Sequence, residues 1–435
     1  MKLSIPSLIL LAASAPTSLA FAPVSISPSS ISTISSTCLS AKKATKKKKN
    51  SSSSAGLKGF GSTTKSSTTK DIKVPIDRSK ETMNFYSYLE KAGAASCLKR
   101  VALGFFPFDE NDTNNGLRGV VALQKINKGD VIIEIPYEAA FNLGKESRDP
   151  TLPGMTLLQE YCAWISGEER SEKKRDLGPY LSVLPKFQTD ELGSTDFFSD
   201  EALDMLQSPI IKDETLARRS KSEARFERDV QPMTEISLGM YKWENDEAIT
   251  EEHLRWASWL VTSRVLTVQG EAGTGDAFRL MIPLIDMCNH DRDSPHVLTG
   301  RAVPGGTLKV IAGKTVQAGE QINIVYGGGV VGNDRFIQDY GFLDFSEDAN
   351  LLTAKILLAK ARIVEGAGAT NGRPMLMPED ERERALKALD ETTVEEDVSM
   401  LEANKDNMAA DVRSALEYRI GIKKALRKLG YGMAM

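Results

Sequence analysis

The sequence predicts an α+β protein in which short strands flank a long helical segment. Apolar runs of strand length, bounded by turn residues, occur before residue 136 and again after residue 280. Between about residues 156 and 266, apolar side chains recur at helical spacing, and residues 379–428 are helical again. Strands and helices in separate blocks are typical of the α+β class.

The first block predicts a short helix and a β-hairpin. Helical spacing of apolar side chains indicates a helix over residues 85–95. Residues 120–123 and 131–135 are apolar and β-branched, which predicts two strands, and the Asn-Lys-Gly sequence at 127–129 predicts a hairpin-type turn between them. Pro136 is expected to close the second strand, since proline cannot donate a ladder hydrogen bond.

The helical block carries recognisable start signals. Ser199 is a good N-cap for a helix that continues to Leu206, with Asp200 and Glu201 in its first turn. Thr250 similarly precedes a helix that runs towards Arg264. We therefore expect a helical insert over about residues 150–266.

The last third is predicted to return to strands and then to helices. Residues 280–285, 308–311 and 322–326 are short apolar runs, and residues 316–320 form a turn between the last two. Residues 351–363 and 379–428 have helical spacing. The predicted organisation is a domain over residues 85–345 with its helical insert, followed by a small all-helical domain over residues 346–435.

Charge is divided unevenly along the chain. All 59 acidic side chains and 45 of the 55 basic ones lie after residue 70. An acidic body argues against nonspecific nucleic-acid binding as the main task, and we expect no nucleic-acid partner.

The first 70 residues are typical of a targeting sequence. Lys2, an apolar run over residues 8–13 and small residues at 18–20 predict a signal peptide over residues 1–20. The apolar run is too short to cross a bilayer. Residues 21–70 are rich in Ser, Thr and Lys, without acidic residues, as in a transit peptide.

The junction at residues 19–23, Leu-Ala-Phe-Ala-Pro, resembles the cleavage motif of plastid presequences in diatoms and related algae. That resemblance implies import into the plastid stroma through a bipartite presequence. A plain secretory signal is the alternative, a cytoplasmic location is another, and the lysine run at 46–49 could also be a nuclear signal.

The cysteines do not predict a disulfide framework or a structural zinc site. Cys97, Cys162 and Cys288 are scattered, Cys38 lies within the targeting sequence, and the chain has no Cys-x-x-Cys motif. Such usage fits a reducing compartment better than an oxidising one.

Asp286, Asn289 and His290 follow an apolar run that we predict to be a strand ending at Asp286. A metal site made of His290 and His296 is weakly supported, because too few other ligands occur at workable spacing. A hydrolase that uses Cys288 beside His290 lacks a nucleophile elbow. The two polar residues could also only satisfy backbone groups in a tight loop.

Gly327-Gly-Gly329 does not fit a phosphate-binding loop. It lacks the Gly-Lys-Ser/Thr ending that such a loop needs, and Asn333 follows it before the next helix. We predict a flexible turn that leads to an Asn N-cap.

The order of several motifs resembles the SET-domain methyltransferases, in the branch of the Rubisco large-subunit lysine methyltransferases and the actin-histidine methyltransferases. The resemblance covers about residues 85–345. The motifs are Gly116-Leu-Arg-Gly119, Lys128-Gly-Asp130, Pro179-Tyr-Leu181, Leu184-Pro185, Phe197-Phe-Ser199, Trp256-Ala257, Ser263-Arg264, Asp286–His290, Gly319–Ile322, Tyr326-Gly327 and Tyr340-Gly-Phe342.

The resemblance implies a site that binds S-adenosyl-L-methionine and a protein substrate, with no metal. It assigns Tyr326 as the catalytic residue. The implied cofactor-binding residues are Gly116, Leu117, Arg118, Arg264, Asp286, Asn289, His290 and Phe342. The implied substrate-binding residues are Ser263, Leu266, Ile285 and Tyr340.

The sequence departs from the family pattern at several points. The family often has Gly at the position of Leu117 and Asn at the position of His296, and the turn after Tyr326 is about two residues longer than usual. The C-terminal region is shorter than usual, which bears on how the substrate docks.

Lysine and histidine acceptors can be compared at two positions. In the histidine-specific relatives, an Asn holds the imidazole where this chain has Leu266, and a Trp stands where this chain has Ile285. Neither Leu nor Ile can donate a hydrogen bond to an imidazole. The Asp-Met-Cys-Asn-His string at 286–290 itself resembles the histidine-specific group.

The resemblance therefore predicts a protein-lysine N-methyltransferase that acts on a plastid protein with an accessible lysine. Family members act on the Rubisco large subunit or aldolase. A protein-histidine methyltransferase and a non-catalytic SET-scaffold binding module are the alternatives. We expect a monomer that does not bind a membrane.

Overall fold

A computed structural model describes residues 74–109, 112–146, 149–167, 176–188, 193–236, 242–244, 247–364, 373–404 and 407–432. These residues belong to one compact unit. The predicted targeting sequence, residues 1–70, lies outside them. Within the described ranges, no helix is both long enough and apolar enough to cross a membrane.

The described strands are short and fall into four small sheets: β1 (Val101–Asp109), β2 (Asp112–Ala122), β3 (Val131–Pro136), β4 (Phe141–Lys145), β5 (Leu266–Gln269), β6 (Ala277–Met281), β7 (Asn289–His290), β8 (Val297–Gly300), β9 (Thr307–Ile311), β10 (Gln321–Ile324), β11 (Ala361–Val364) and β12 (Arg373–Leu376).

The described helices lie mainly in the middle and at the C-terminal end of the chain: α1 (Lys80–Lys91), α2 (Ala95–Leu98), α3 (Thr151–Ile165), α4 (Gly178–Leu181), α5 (Asp200–Met205), α6 (Pro209–Arg225), α7 (Gln231–Ile236), α8 (Glu251–Arg264), α9 (Asn333–Arg335), α10 (Glu347–Leu358), α11 (Glu379–Leu389), α12 (Val394–Asn404) and α13 (Ala410–Lys428). The α+β class is confirmed.

The first sheet has the order β1-β2-β10-β7 and joins distant parts of the chain. β1 and β2 pair as an antiparallel hairpin, β10 pairs antiparallel with β2, and β10 pairs parallel with β7. The parallel pair of β10 and β7 is only two residues long on each strand. It brings the segment around Asn289 next to the segment that precedes Tyr326.

The predicted hairpin of residues 120–123 with 131–135 is wrong. Gly129 does adopt the left-handed conformation of a turn, with φ of 90°. However, β2 pairs with β1 and β10, whereas β3 pairs with β9 in the sheet β3-β9-β8. An alternating pattern shows which face of a strand is buried but not which strand is its neighbour.

β9 and β10 are likewise not paired with each other, although a turn separates them. The third sheet, β4-β6-β5, contains two strands that the sequence analysis did not predict, β4 and β5. Both are edge strands of four or five residues. Their burial is partial, so they lack the strong apolar pattern of the central strands.

The helical insert is confirmed and packs around aromatic side chains. Ser199 caps α5 by accepting a hydrogen bond from the Ala202 amide. Thr250 and His253 form a capping box at the start of α8. Trp256 on α8 is fully buried and lies 5.0 Å, centroid to centroid, from the ring of Tyr161 on α3.

The C-terminal region is mainly helical and also contains the hairpin β11–β12. Residues 361–363 were predicted to continue a helix, but α10 ends at Leu358 and Lys360 then adopts a positive φ of 57°. The backbone reversal at Lys360 interrupts a pattern that has helical spacing on both sides. Strand β11 follows it directly.

A buried ion cluster stabilises the packing of α12 on α13. Asp397 and Lys423 have no solvent exposure, and Arg419 has almost none. The Lys423 ammonium lies 2.8 Å from one carboxylate oxygen of Asp397, and Arg419 donates to both oxygens of that carboxylate. Arg419 also donates to the Met205 carbonyl at the end of α5, which ties α13 to the helical insert.

We predict that Asp397→Asn destabilises the fold by about 3–5 kcal/mol, because it leaves two buried cations without their counter-ion. The midpoint of urea denaturation, followed by circular dichroism, measures the loss. Glu395→Gln on the same helix is the matched control, since it removes only an exposed ion pair with Arg427. Equal midpoints for the two variants would contradict the assignment.

Candidate functional site

The site lies where β2, β7 and β10 meet. In the parallel pair, Asn323 stands opposite Asn289 and Ile324 stands opposite His290. Strand β10 ends immediately afterwards, and Tyr326 follows it. The predicted Asn-His pair and the predicted catalytic Tyr are therefore neighbours in space.

Asn289 fixes the spacing between β7 and β2. Its side-chain Nδ2 donates to the Arg118 carbonyl, 2.9 Å away. Gly119 leaves the space for this contact, since a Cβ there would lie 2.6 Å from both Asn289 Nδ2 and Gln321 Nε2. Gly116 also lies close to the backbone of β1, because a Cβ on Gly116 would lie 2.5 Å from the Phe106 carbonyl oxygen.

The Arg118 guanidinium points away from this junction. It forms an ion pair with Asp77 at 3.0 Å and donates to the Val183 carbonyl and the Thr82 hydroxyl. Its side chain therefore anchors the N-terminal helix α1 to β2. The guanidinium is therefore not free to bind a ligand at this edge, where the side chain of Leu117 is half-exposed.

His290 orients the backbone of Tyr326. The His290 Nδ1 accepts a hydrogen bond from the Tyr326 amide at 3.0 Å, so the neutral ring carries its proton on Nε2. Burial lowers the pKa of His290, while the nearby Asp344 carboxylate, 3.7 Å from Nε2, raises it. The ring packs 4.7 Å from that of Phe336. His290 therefore acts as a structural acceptor and not as a metal ligand.

The structure does not join His290 and His296 in one site. His296 Nδ1 accepts from the Gly313 amide instead. Among the described residues, no group of three or more His, Cys, Asp and Glu side chains is placed to hold a metal ion.

Tyr326 is held with its hydroxyl protonated and directed at one carbonyl. The Tyr326 hydroxyl donates to the Cys288 carbonyl at 2.6 Å. Burial raises the pKa of Tyr326 above its ordinary value, so the phenol remains a hydrogen-bond donor at neutral pH. Its ring stacks on that of Tyr340, with centroids 5.0 Å apart and planes at 28°.

Phe336, Tyr340 and Phe342 form an aromatic wall beside Tyr326 and His290. The rings of Phe336 and Phe342 stack at 5.1 Å, and the Phe342 ring lies 6.0 Å from that of His290. Residues Phe336–Tyr340 adopt a π-helical turn. In this turn the ring centroids of Phe336 and Tyr340 lie 5.8 Å apart. Both aromatic residues that the sequence analysis predicted, Tyr340 and Phe342, therefore belong to the wall.

The glycine segment after Tyr326 is an ordered turn. Gly327, Gly328 and Gly329 have φ of 58°, 62° and 75°, which residues with a Cβ adopt only at a cost. Arg292 fixes the segment by donating to the Gly329 and Val331 carbonyls and to the Asp344 carboxylate. The prediction that Asn333 is an N-cap is wrong. Gly332 occupies that position, and the Asn333 amide binds the Asp344 carbonyl instead.

Asp286 does not end a strand. Strand β6 stops at Met281, and residues Ile285–Met287 form a 3₁₀ turn after Leu284, which has a positive φ of 71°. This reversal turns the Asp286 carboxyl into the protein interior. The apolar run that suggested a longer strand is buried in the turn as well.

The buried Asp286 carboxyl accepts a hydrogen bond from the Tyr180 hydroxyl, and Arg264 donates to the Asp286 carbonyl at 3.0 Å. Burial raises the pKa of Asp286 to about 6, although Arg264 and Tyr180 act to lower it. Asp286 Oδ1 has no hydrogen-bond partner among the described residues.

The other three predicted substrate-binding residues, Ser263, Leu266 and Ile285, are partly engaged in contacts within the fold. The Ser263 hydroxyl donates to the Trp259 carbonyl one turn earlier in α8, and Ile285 is buried in the core. Leu266 opens β5 opposite Leu280 and is half-buried. Ser263 and Leu266 are therefore partly accessible, whereas Ile285 is not.

Cys288 does not have the properties of a nucleophile. Its thiol is fully buried, and burial together with the nearby Asp286 raises its pKa above the ordinary value. A reactive cysteine needs the opposite shift and access to solvent. The structure thus disfavours a Cys288 hydrolase.

Sequence reasoning missed several residues that shape the site: Gly119, Tyr180, Arg292 and Asp344. Gly119 and Tyr180 stand inside motifs that were recognised, but their roles depend on contacts with residues more than 100 positions away. Arg292 and Asp344 occur in polar turns, where charged side chains are common and give no signal.

Comparison with known proteins identifies the fold. Residues 117–327 match the model of the SET domain family. A crystal structure described as the SET domain of LSMT bound to lysine and AdoHcy shares 18% sequence identity with this chain and has a TM-score of 0.53. The match covers 81% of this chain and 90% of that one.

Rubisco LSMT bound to AdoMet is similar, with 18% identity, a TM-score of 0.51 and coverage of 81% and 91%. No curated protein matches the sequence. Residues 117–327 are therefore similar to a SET domain, and the fold of the chain is shared with these Rubisco LSMT structures.

The raised pKa of Asp286 makes stability depend on pH. An unfolded carboxyl has a pKa of 3.8, so the native state binds more protons than the unfolded state between pH 4 and pH 6. The protonated carboxyl adds to the free energy of unfolding at low pH, and this contribution is lost as the pH rises through about 6. The total loss is about 3 kcal/mol, of which less than half falls between pH 5 and pH 8.

We predict that Asp286→Asn, which can still accept from Tyr180, removes this loss. Differential scanning calorimetry at pH 5 and pH 8 measures it. The melting temperature of the variant minus that of the wild type should be larger at pH 8 than at pH 5. A constant difference between the two proteins would show that the carboxyl does not titrate in this window.

Proposed function

We propose that this chain is an S-adenosyl-L-methionine-dependent protein-lysine N-methyltransferase that acts on a plastid protein. The observation that carries the proposal is the placement of Tyr326. Its protonated hydroxyl lies 2.6 Å from the Cys288 carbonyl, one residue before the Asn289-His290 pair and inside an aromatic wall. The hydroxyl oxygen and the carbonyl oxygen can both accept hydrogen bonds from an amine N–H, which leaves the nitrogen lone pair free to react.

The residues at the β2–β7 edge fit the cofactor. Gly116 and Gly119 let the backbone of β2 pack closely against Phe106 and Asn289, and this backbone would face the amino-acid end of the cofactor. Gln321 Nε2 and Asn323 Oδ1, two buried polar atoms at the same edge, have no hydrogen-bond partner among the described residues. Asn289, His290 and Phe342 would hold the rest of the molecule. When bound, the cofactor supplies a methyl group on a positively charged sulfur.

The chain's own residues would prepare the acceptor. A free lysine has a pKa of about 10.4, so a neutral amine at pH 7 costs roughly 4–5 kcal/mol. An apolar channel disfavours the charged form and lowers that pKa, so no strong base is required. Tyr326 and the Cys288 carbonyl would orient the neutral amine, and positioning of this kind can supply much of the rate enhancement.

Lysine is favoured over histidine at two positions. The half-buried Leu266 and the buried Ile285 replace side chains that hold an imidazole in the histidine-specific relatives. Neither offers a hydrogen-bond donor. The structures of LSMT with bound lysine support the same choice by similarity of fold. Plastid import through residues 1–70 would bring the enzyme to its substrate, for which the Rubisco large subunit and aldolase are the family's precedents.

We predict that Tyr326→Phe lowers methyl transfer by on the order of 100-fold or more, because the variant loses the preorganised hydroxyl oxygen that would orient the amine. Cofactor affinity should change little, since the hydroxyl binds the Cys288 carbonyl and not the β2–β7 edge. Transfer of a labelled methyl group to protein measures the rate. Full activity in the variant would refute the role of Tyr326.

Gly119→Ala is predicted to weaken cofactor binding by about tenfold or more. The added methyl group would lie 2.6 Å from Asn289 Nδ2 and must displace the Asn289 amide. Calorimetry measures the affinity. Gly432→Ala is the control, because a Cβ at residue 432 meets no atom within 4 Å. Equal affinities in the two variants would show that Asn289 is not part of the binding edge.

The substrate can be found directly. The full chain, or the form processed at the predicted cleavage site, is incubated with a plastid extract and labelled cofactor, and the labelled residue is identified by mass spectrometry. A methylated lysine supports the proposal, and a methylated histidine would reassign the acceptor. Cofactor binding without any transfer would favour a non-catalytic SET-scaffold binding module.

A further inference from the structure

We propose that Arg218, on helix α6 of the insert, is a positioning residue that sets the shape of the acceptor channel. It would do so by holding the turn that carries Tyr340. The proposal rests on the proposed function, because it assigns a part in the same reaction to a residue outside the site. No sequence motif drew attention to Arg218.

Tyr340 depends on its own turn for its place. It is the last residue of the π-helical turn Phe336–Tyr340, and its ring stacks on that of Tyr326 at 5.0 Å. π-Helical turns are rare and are found frequently at functional sites. A shift of this turn would move the ring that faces the catalytic hydroxyl.

Arg218 holds this turn through two of its residues. Its Nη1 lies 2.8 Å from Asp339 Oδ1, and its Nη2 donates to the Gln338 carbonyl at 2.8 Å. The Asp339 side chain has no solvent exposure and also accepts from Arg335, the residue directly before the turn. Arg218 is thus the residue of the insert that pairs with the buried Asp339 carboxylate next to Tyr340.

The other face of Arg218 is anchored within the insert. Its Nε lies 3.0 Å from Asp196 Oδ1, and its Nη2 also approaches the Thr195 hydroxyl at 3.4 Å. The guanidinium therefore bridges the segment at residues 195–196 and the turn at 338–339. A planar guanidinium can serve several acceptors in fixed directions, which a lysine ammonium on a flexible stem cannot reproduce.

A second contact supports the turn from the insert. Gly341, which follows Tyr340, has a positive φ of 83°, and a Cβ on Gly193 would lie 2.5 Å from the Gly341 carbonyl oxygen. The backbone of the insert thus approaches the backbone on the C-terminal side of Tyr340, while Arg218 binds it on the N-terminal side. Tyr340 is held between these two points.

The test compares Arg218→Gln with Arg225→Gln in the full chain. Arg225 lies on the same helix and forms partly buried ion pairs with Asp149 and Asp229, but it does not contact the Tyr340 turn. We expect kcat to fall by roughly 10- to 100-fold in Arg218→Gln, because small misplacements of reacting groups have effects of that size. Cofactor affinity should stay within about twofold of the wild type.

The distribution of mono-, di- and trimethylated product is the second readout. A displaced Tyr340 changes the room around the amine, so Arg218→Gln should change the distribution, whereas Arg225→Gln should not. A variant that is only less stable would keep the wild-type distribution. If Arg218→Gln does not fold, Arg218→Lys replaces it, and the same changes are expected to a smaller degree.

A double-mutant comparison with Asp339→Asn shows whether Arg218 acts through the turn. The effects of Arg218→Gln and Asp339→Asn on kcat should not add, because each breaks the same pair. Wild-type kcat and product distribution in Arg218→Gln or its Lys replacement would overturn the inference while leaving the proposed function intact. Absence of methyl transfer by the wild-type chain would instead refute the proposed function itself.

Discussion

The bond from the Asn289 amide to the Arg118 carbonyl is the contact on which the site depends. It joins β7 to β2, and β10 lies between them, so three segments that are far apart in sequence are fixed at one edge. Gly119 makes the bond possible, since no other residue leaves room for the amide. Because β10 ends at this edge, the same contact also determines where Tyr326 begins its turn.

Burial keeps the groups of the site in states that suit amine chemistry. It raises the pKa of Tyr326 and of Cys288 and lowers the pKa of His290, so these three groups are neutral near pH 7. Asp286, whose pKa burial raises to about 6, is the ionisable exception. Apart from Asp286 and the charged side chains of Arg264, Arg292 and Asp344, the site is therefore a set of oriented dipoles, which fits the positioning of a neutral amine better than nucleophilic or metal chemistry.

The residues that the sequence analysis assigned to the site lie close together, whereas one of its predicted strand pairings was wrong. Asn289, His290, Tyr326, Tyr340 and Phe342 converge as expected, because the resemblance rests on motifs whose order is distinctive. The wrong hairpin after residue 120 has a different origin, since alternation defines a face but not a partner. The prediction that a strand ends at Asp286 was wrong, because an apolar run in the sequence does not indicate that Leu284 has a positive φ. Arg218 could not be found, as its role exists only through contacts made by folding.

Calorimetric titration of the full chain with S-adenosyl-L-methionine tests the central claim most directly. The β2–β7 edge, where Gln321 Nε2 and Asn323 Oδ1 have no hydrogen-bond partner among the described residues, should bind one molecule per chain in a saturable manner. Circular dichroism of the same sample confirms that the chain is folded. Absence of any binding heat from the folded chain, over a range of temperatures, would contradict the account.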